Sequence, residues 1–388
     1  MHNNLASKGF LYTNGQPMNA LERQSDTSQP SVIRTSHLAT QCEQKLGCII
    51  GQSGKKTANG ELSFQMILID LDNPDFPQSF IPVPFLGHGL AFHPNKPGLA
   101  VLFEKRGPGA CEINLETLEV NRVIPTKDNR HFYGHGTYSA DGKILYASET
   151  IIEGKFEGAI IMRDSESMEE IGSFPSYGAR PHDCQLLSDK RTMIITNGGG
   201  MFDEFEKGSV TYVDTITHSL LKKLPVENKK LNAGHVAVAQ NGSICLVSAP
   251  REGLGFEKYT GGISIAKEGD HLTGVNAPRK LLDKLKGETL SVCIDNTNNT
   301  AVTMTPDAGE ILFWDLAKKQ LRHRIKKTHP RGVCLTEDKQ YFVINYGRPS
   351  PKISLLDTKS FSELTQFDID AEITGSHIVT YRRFSRKL

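Results

Sequence analysis

Four histidines recur at near-constant spacing, each inside a short phrase of similar form. They are His88 in Gly87-His88-Gly89-Leu90-Ala91-Phe92, His135 in Gly134-His135-Gly136-Thr137-Tyr138-Ser139, His182 in Pro181-His182-Asp183-Cys184-Gln185-Leu186, and His235 in Gly234-His235-Val236-Ala237-Val238-Ala239. The separations are 47, 47 and 53 residues. A terminal phrase, Gly375-Ser376-His377-Ile378-Val379, offers a fifth, and His37 is a further candidate near the start. Neutral imidazole nitrogen suits Fe, Zn, Cu and Ni, so several imidazoles at one height would make a coordination sphere for such an ion. Ligating histidines need acceptors that fix their tautomer. Asp183 and Glu149 are assigned to that role, and His131, four residues before His135, is placed near the same site.

The elements that carry these histidines are short strands. Each phrase runs into a turn, as at Ala140-Asp141-Gly142, Ser188-Asp189-Lys190 and Gln240-Asn241-Gly242. Two later segments keep the register but lose the histidine: Ser291-Val292-Cys293-Ile294-Asp295 and Gly332-Val333-Cys334-Leu335-Thr336. A repeat of roughly 40–50 residues made of short strands is the signature of a propeller blade. Equivalent blade positions converge on one axis, so the histidines are expected to face each other there. Repeats begin near residues 37, 88, 135, 182, 235, 291 and 332. This count predicts an all-β, seven-bladed propeller of antiparallel four-stranded blades, with an eighth, partial blade as the alternative. The terminal phrase at His377 is expected to pair with the N-terminal blade and remove the exposed edges. Asp70, Asp214, Asp315 and Asp357 each end an apolar strand before a turn, where a carboxylate accepts the turn's amides. Only Pro278 to Lys286 reads as a short helix.

Composition narrows the classes of function. A formal net charge of +1 over 388 residues argues against a dedicated nucleic-acid or membrane-surface binder. No apolar run approaches the roughly 20 residues of a membrane span. Residues 1–30 are polar and read as a disordered tail, with 31–388 as a single propeller domain. Seven cysteines occur without a Cys-x-x-Cys, and Cys184, Cys293 and Cys334 share one register. They read as small hydrophobes buried between blades. Unpaired thiols and the lack of an apolar leader point to the cytoplasm. The run Asn197-Gly198-Gly199-Gly200 lacks the Lys-Ser/Thr of a phosphate loop and reads as a turn.

The phrases also carry a family resemblance. Phe85-Leu86-Gly87-His88-Gly89 with His93-Pro94, the run Arg130-His131-Phe132-Tyr133-Gly134-His135-Gly136 with Ser139-Ala140-Asp141-Gly142, and Tyr146-Ala147-Ser148-Glu149 resemble the bacterial domain-of-unknown-function 1513 family. So do Gly178-Ala179-Arg180-Pro181-His182-Asp183, Thr196-Asn197-Gly198-Gly199 and Gly375-Ser376-His377. The resemblance implies a seven-bladed propeller of the tryptophan-aspartate or quinoprotein type. It also implies a setting beside iron-uptake components, and export to the periplasm or beyond as the alternative location.

Three functions fit these observations. The first is a metal-binding propeller with His88, His135, His182, His235 and His377 as ligands. Iron is favoured there by the family setting, copper or zinc come next, and a role in metal acquisition or handling follows. The second is an interaction scaffold that binds a protein on its rim, the histidines forming a polar channel lining satisfied by ordered water, and in any of these readings the chain is expected to be a monomer. The third is an enzyme acting on a small molecule at the channel mouth, with no catalytic residue assigned.

Overall fold

Strands with apolar centres, punctuated by turns, pair antiparallel into seven four-stranded sheets. The computed structural model describes residues 45–57, 59–153, 156–202 and 206–382. The polar stretch 1–30 and the phrase at His37 lie outside the described residues. Each sheet is one blade of a propeller, named here by its innermost strand. The second to seventh blades start from Gly87–Phe92, Arg130–Tyr138, Pro181–Leu186, Val236–Val238, Ser291–Asp295 and Gly332–Leu335. The first blade is composite. Its innermost strand is Ile378–Tyr381, from the far end of the chain, paired with Cys48–Lys56 and then with Leu62–Asp70 and Gln78–Val83. Ile378, Val379, Thr380 and Tyr381 stand opposite Gly51, Ile50, Ile49 and Cys48, which closes the ring as the repeat count expects.

The middle two strands of each blade are buried on both faces and read as continuous apolar runs, such as Glu310–Asp315 and Ile244–Ser248. The outermost strands are amphipathic, as in Gln320–Lys326. Neighbouring blades bury these faces against each other. Across the closure, Ile49, Ile67 and Ile69 of the first blade pack with Val343, Ile353 and Leu355 of the seventh. The strand-end aspartates cap their turns: Asp214 accepts from the amides of Ile216 and Thr217 at 2.8 and 3.0 Å, and Asp357 from Lys359 and Ser360 at 3.0 and 2.7 Å. The short helix is Arg279–Leu282. No helix among the described residues is long and apolar enough to cross a membrane.

Candidate metal centre

Seven equivalent positions at the heads of the innermost strands ring the axis. From the first blade to the seventh they hold His377, His88, His135, His182, His235, Ser291 and Gly332. Three of the histidines lie within ladder irregularities. Register slips between Gly87 and Leu90, between Phe132 and Gly136, and between Pro181 and Cys184. A bulge frees residues from the ladder and re-aims their side chains. Here it turns His88, His135 and His182 out of the alternation that would send them between blades. Glycine makes the close approach feasible: a Cβ on Gly89 would stand 2.5 Å from His135 Nδ1, and one on Gly134, at φ +108°, would stand 2.5 Å from His88 Cδ2.

The five imidazoles meet. The donor nitrogens of His88, His135, His235 and His377 all lie within 4.8 Å of one another. His88 Nε2 is 3.2 Å from His182 Nε2, 3.3 Å from His235 Nε2 and 3.1 Å from His377 Nε2. His182 and His235 bring their Nε2 atoms to 2.8 Å. For bonds of about 2.0–2.2 Å to one ion, donors at right angles stand about 2.8–3.1 Å apart. The His182–His235 and His88–His377 spacings fall in that range, and the other two lie just above it. His135 Nε2 is buried with no hydrogen-bond partner among the described residues.

The tautomers follow from the outer contacts. His182 Nδ1 lies 2.7 Å from the carbonyl of Tyr133, and His235 Nδ1 lies 2.7 Å from that of Leu290. A carbonyl only accepts, so both Nδ1 atoms carry the proton. Burial keeps the rings neutral. It drives His135 and His235 down to about 3, and drives His88, His182 and His377 well below the ordinary histidine value, with neighbouring imidazoles adding to the depression of all but His135. A neutral ring has one N–H, so the Nε2 atoms of His182 and His235 present lone pairs to each other. Two acceptors at 2.8 Å repel unless a cation stands between them.

The surrounding residues are more varied. Asp183 stands beside His135, with Oδ1 3.8 Å from Nδ1, longer than a hydrogen bond. Its Oδ2 accepts from Val236 N at 3.2 Å and Gln185 Nε2 at 3.1 Å. Burial pushes the carboxyl upward. Glu149 faces away from the axis. Arg163 donates to one of its oxygens at 2.9 Å, and Arg130 Nε stands 3.2 Å from the other. Its neighbour Ser148 faces the site and donates to the carbonyls of His135 and His182 at 2.9 and 3.1 Å. His131 pairs with Thr150 on the outer side of the bulge, and no hydrogen bond or ring contact joins it to the cluster among the described residues. A cavity of about 460 Å³ borders the imidazoles. His135, His235, His377, Asp183, Gln185 and Ser291 line its polar part. Cys184, Cys293 and Cys334 border it while packing, as expected, against the apolar clusters between blades around Ile195, Phe342 and Ile353. Burial raises all three thiols.

Two solved structures share the architecture. Hydrazine synthase of Kuenenia stuttgartiensis aligns with a TM-score of 0.60 at 13% identity, over 86% of this chain and 100% of that one. Dihydro-heme d1 dehydrogenase NirN, in complex with DHE, aligns with a TM-score of 0.53 at 12% identity, over 84% of this chain and 73% of that one. At such identity the likeness is one of fold. No curated protein sequence matches. The sequence profile described as "Protein of unknown function (DUF1513)" covers residues 81–374, well over half of the chain, and this chain therefore belongs to that family.

Proposed function

We propose that this protein binds a transition metal on the propeller axis, with His88, His135, His182, His235 and His377 as the ligands and Asp183 in support. The observation that carries this reading is the pair of lone-pair nitrogens of His182 and His235 at 2.8 Å, each ring fixed by a carbonyl behind it. A carbonyl–histidine–metal relay has this form. Iron is the favoured ion. Five imidazoles exceed the four ligands that structural zinc takes, and imidazole suits iron, copper and nickel as well. A bound ion would supply Lewis acidity or one-electron chemistry, and a role in metal acquisition or handling follows. One of the structural neighbours is named as a dehydrogenase of a heme, but its 12% identity lends that chemistry no weight here.

The test is elemental analysis of protein purified without oxygen, for the wild type and for His135→Ala. Stoichiometric metal in the first and a sharp loss in the second, with unchanged far-ultraviolet circular dichroism, is the expected result. No metal in any preparation, or full metal in the variant, would hand the histidines to the scaffold reading.

A second reading, an enzyme acting on a small molecule, is favoured by the cavity of about 460 Å³ that begins at the imidazoles. For location we propose the cytoplasm. Cys111, Cys184, Cys245, Cys293 and Cys334 are free thiols, which a reducing compartment preserves. Fractionation that recovers the untagged chain from a periplasmic or secreted pool would overturn this.

A further inference from the structure

The cavity beside the imidazoles has two unlike walls. All seven innermost strands contribute to it. The third, fourth and fifth blades supply His135, Thr137, Asp183, Gln185 and His235. The sixth, seventh, first and second supply Val292, Val333, Ile378, Val379, Leu90 and Phe92. The serines on that second side are engaged with their neighbours: Ser291 Oγ donates to the carbonyl of Ser376 at 2.8 Å, and Ser376 Oγ lies 3.4 Å from His88 Nδ1. Phe92 is held in place, its ring stacked on that of Tyr381 at 5.6 Å. A molecule filling this space meets polar groups on one side and hydrocarbon on the other.

The polar wall is rich in acceptors and poor in donors. Gln185 Nε2 donates to Asp183 Oδ2 at 3.1 Å and to the carbonyl of Val236 at 2.7 Å. Both N–H groups of the carboxamide are thus spent, and only Oε1 is left for a ligand. Asp183 Oδ2 also takes the Val236 amide at 3.2 Å, while Oδ1 stands 3.8 Å from His135 Nδ1, beyond hydrogen-bond reach. The Asp183 side chain is only 8% exposed, and a buried carboxylate oxygen short of donors is costly. A ligand that brings an O–H or N–H supplies one.

Charge narrows the class further. Among the described residues no lysine or arginine lines the cavity, and Asp183 is its one carboxylate. An anion would face that carboxylate without a cationic side chain to pair with. An ammonium would form a buried ion pair with Asp183 at a desolvation cost, and an ion on the imidazoles would repel it. An uncharged molecule avoids both. The volume of about 460 Å³ lies in the range of small-ligand sites.

We propose that the cavity binds a small uncharged hydroxyl compound of the phenol type, its O–H donated to Asp183 and its ring laid against Phe92 and Val292. This rests on the small-molecule reading of the cavity. Its test is calorimetric titration of the full chain, with metal content measured first, using phenol, toluene, benzoate and benzylamine at neutral pH. Phenol is expected to bind at millimolar concentration. Toluene, which lacks the donor, should bind at least about tenfold more weakly, and the two charged compounds more weakly than phenol. Asp183→Asn should weaken phenol binding by a similar factor at an unchanged melting temperature. Val292→Phe should fill the space and abolish it, and if that variant does not fold, Asp183→Asn decides alone. Equal affinity for phenol and toluene, tighter binding of benzoate or benzylamine, or phenol binding unchanged in either folded variant overturns the inference and leaves the small-molecule reading standing. No binding of any of the four compounds removes that reading as well.

Discussion

The third and sixth blades are built from the same repeat but for different ends. In the sixth, Ser291–Asp295 pairs with Thr300–Thr305 in unbroken register, and the blade's interior is apolar around Trp314, whose indole donates to Thr303 Oγ1 at 3.0 Å. In the third, the inner ladder is interrupted between Phe132 and Gly136, and a buried Glu149 sits between two arginines. The regular blade contributes a small residue to the axis and the interrupted one contributes an imidazole. In this blade the placement of the imidazole costs ladder hydrogen bonds, and charge buried behind the strand fixes what the ladder no longer holds, whereas the fifth blade delivers His235 from an unbroken ladder.

That contrast can be broken experimentally, most severely through the histidines. In metal-free protein they should make the fold acid-labile. Each is neutral when folded and protonated when unfolded below pH about 6.5, so each favours unfolding progressively as pH falls. At pH 5 the penalty is about 2 kcal/mol per histidine held neutral. For His135 and His235 it grows down to their folded value of about 3. Urea melts of chelated protein at pH 7 and pH 5 measure this, and equal midpoints would contradict it. Metal-loaded protein should resist the change until protons displace the ion.

Glu149→Ala comes next. It strands the buried Arg163 guanidinium, while Arg130 keeps its pair with Glu170, an expected loss of about 3–5 kcal/mol by chemical denaturation. Replacing Arg163 with an apolar residue in the same chain should recover part of the loss. An unaffected single variant would mean that the third blade does not need this charge.

Asp183→Ala is the smallest effect and the sharpest. It should weaken metal binding by about 10–100-fold in a competition assay while the ligands stay in place. An unchanged affinity would remove Asp183 from the site, and a change in melting temperature alone would make its role structural.

The fold and the five imidazoles were legible because a repeated phrase reports position directly. Equal spacing from His88 to His235 places equal strands on equal blades. The bulges were not legible, because a register slip is a relation between two strands and neither strand's composition records it. Glu149 is expected among the acceptors that fix the histidine tautomers, and the structure turns it away. Strand alternation sends it the other way: Ser148 takes the inner face and Glu149 the outer. The same alternation was available to predict this. Cys293 and Cys334 pack between blades as their apolar register implies, and their place beside the cavity is what apolar character alone does not mark.

The composite first blade has a consequence for how the chain comes together. His377 lies on the segment leading into the strand that closes the ring, and its partner His88 lies 289 residues earlier. Bringing ends so far apart into contact costs about 5 kcal/mol in chain entropy beyond the constant for any closure. An ion shared by these two rings would act as a clasp across the seam. It would slow the escape of Ile378–Tyr381 from Cys48–Gly51, and amide exchange along that seam would report on loading. During synthesis the imidazoles of the second to fifth blades would emerge early and wait for the last one, His377. Assembly of the centre and completion of the ring would then be a single event.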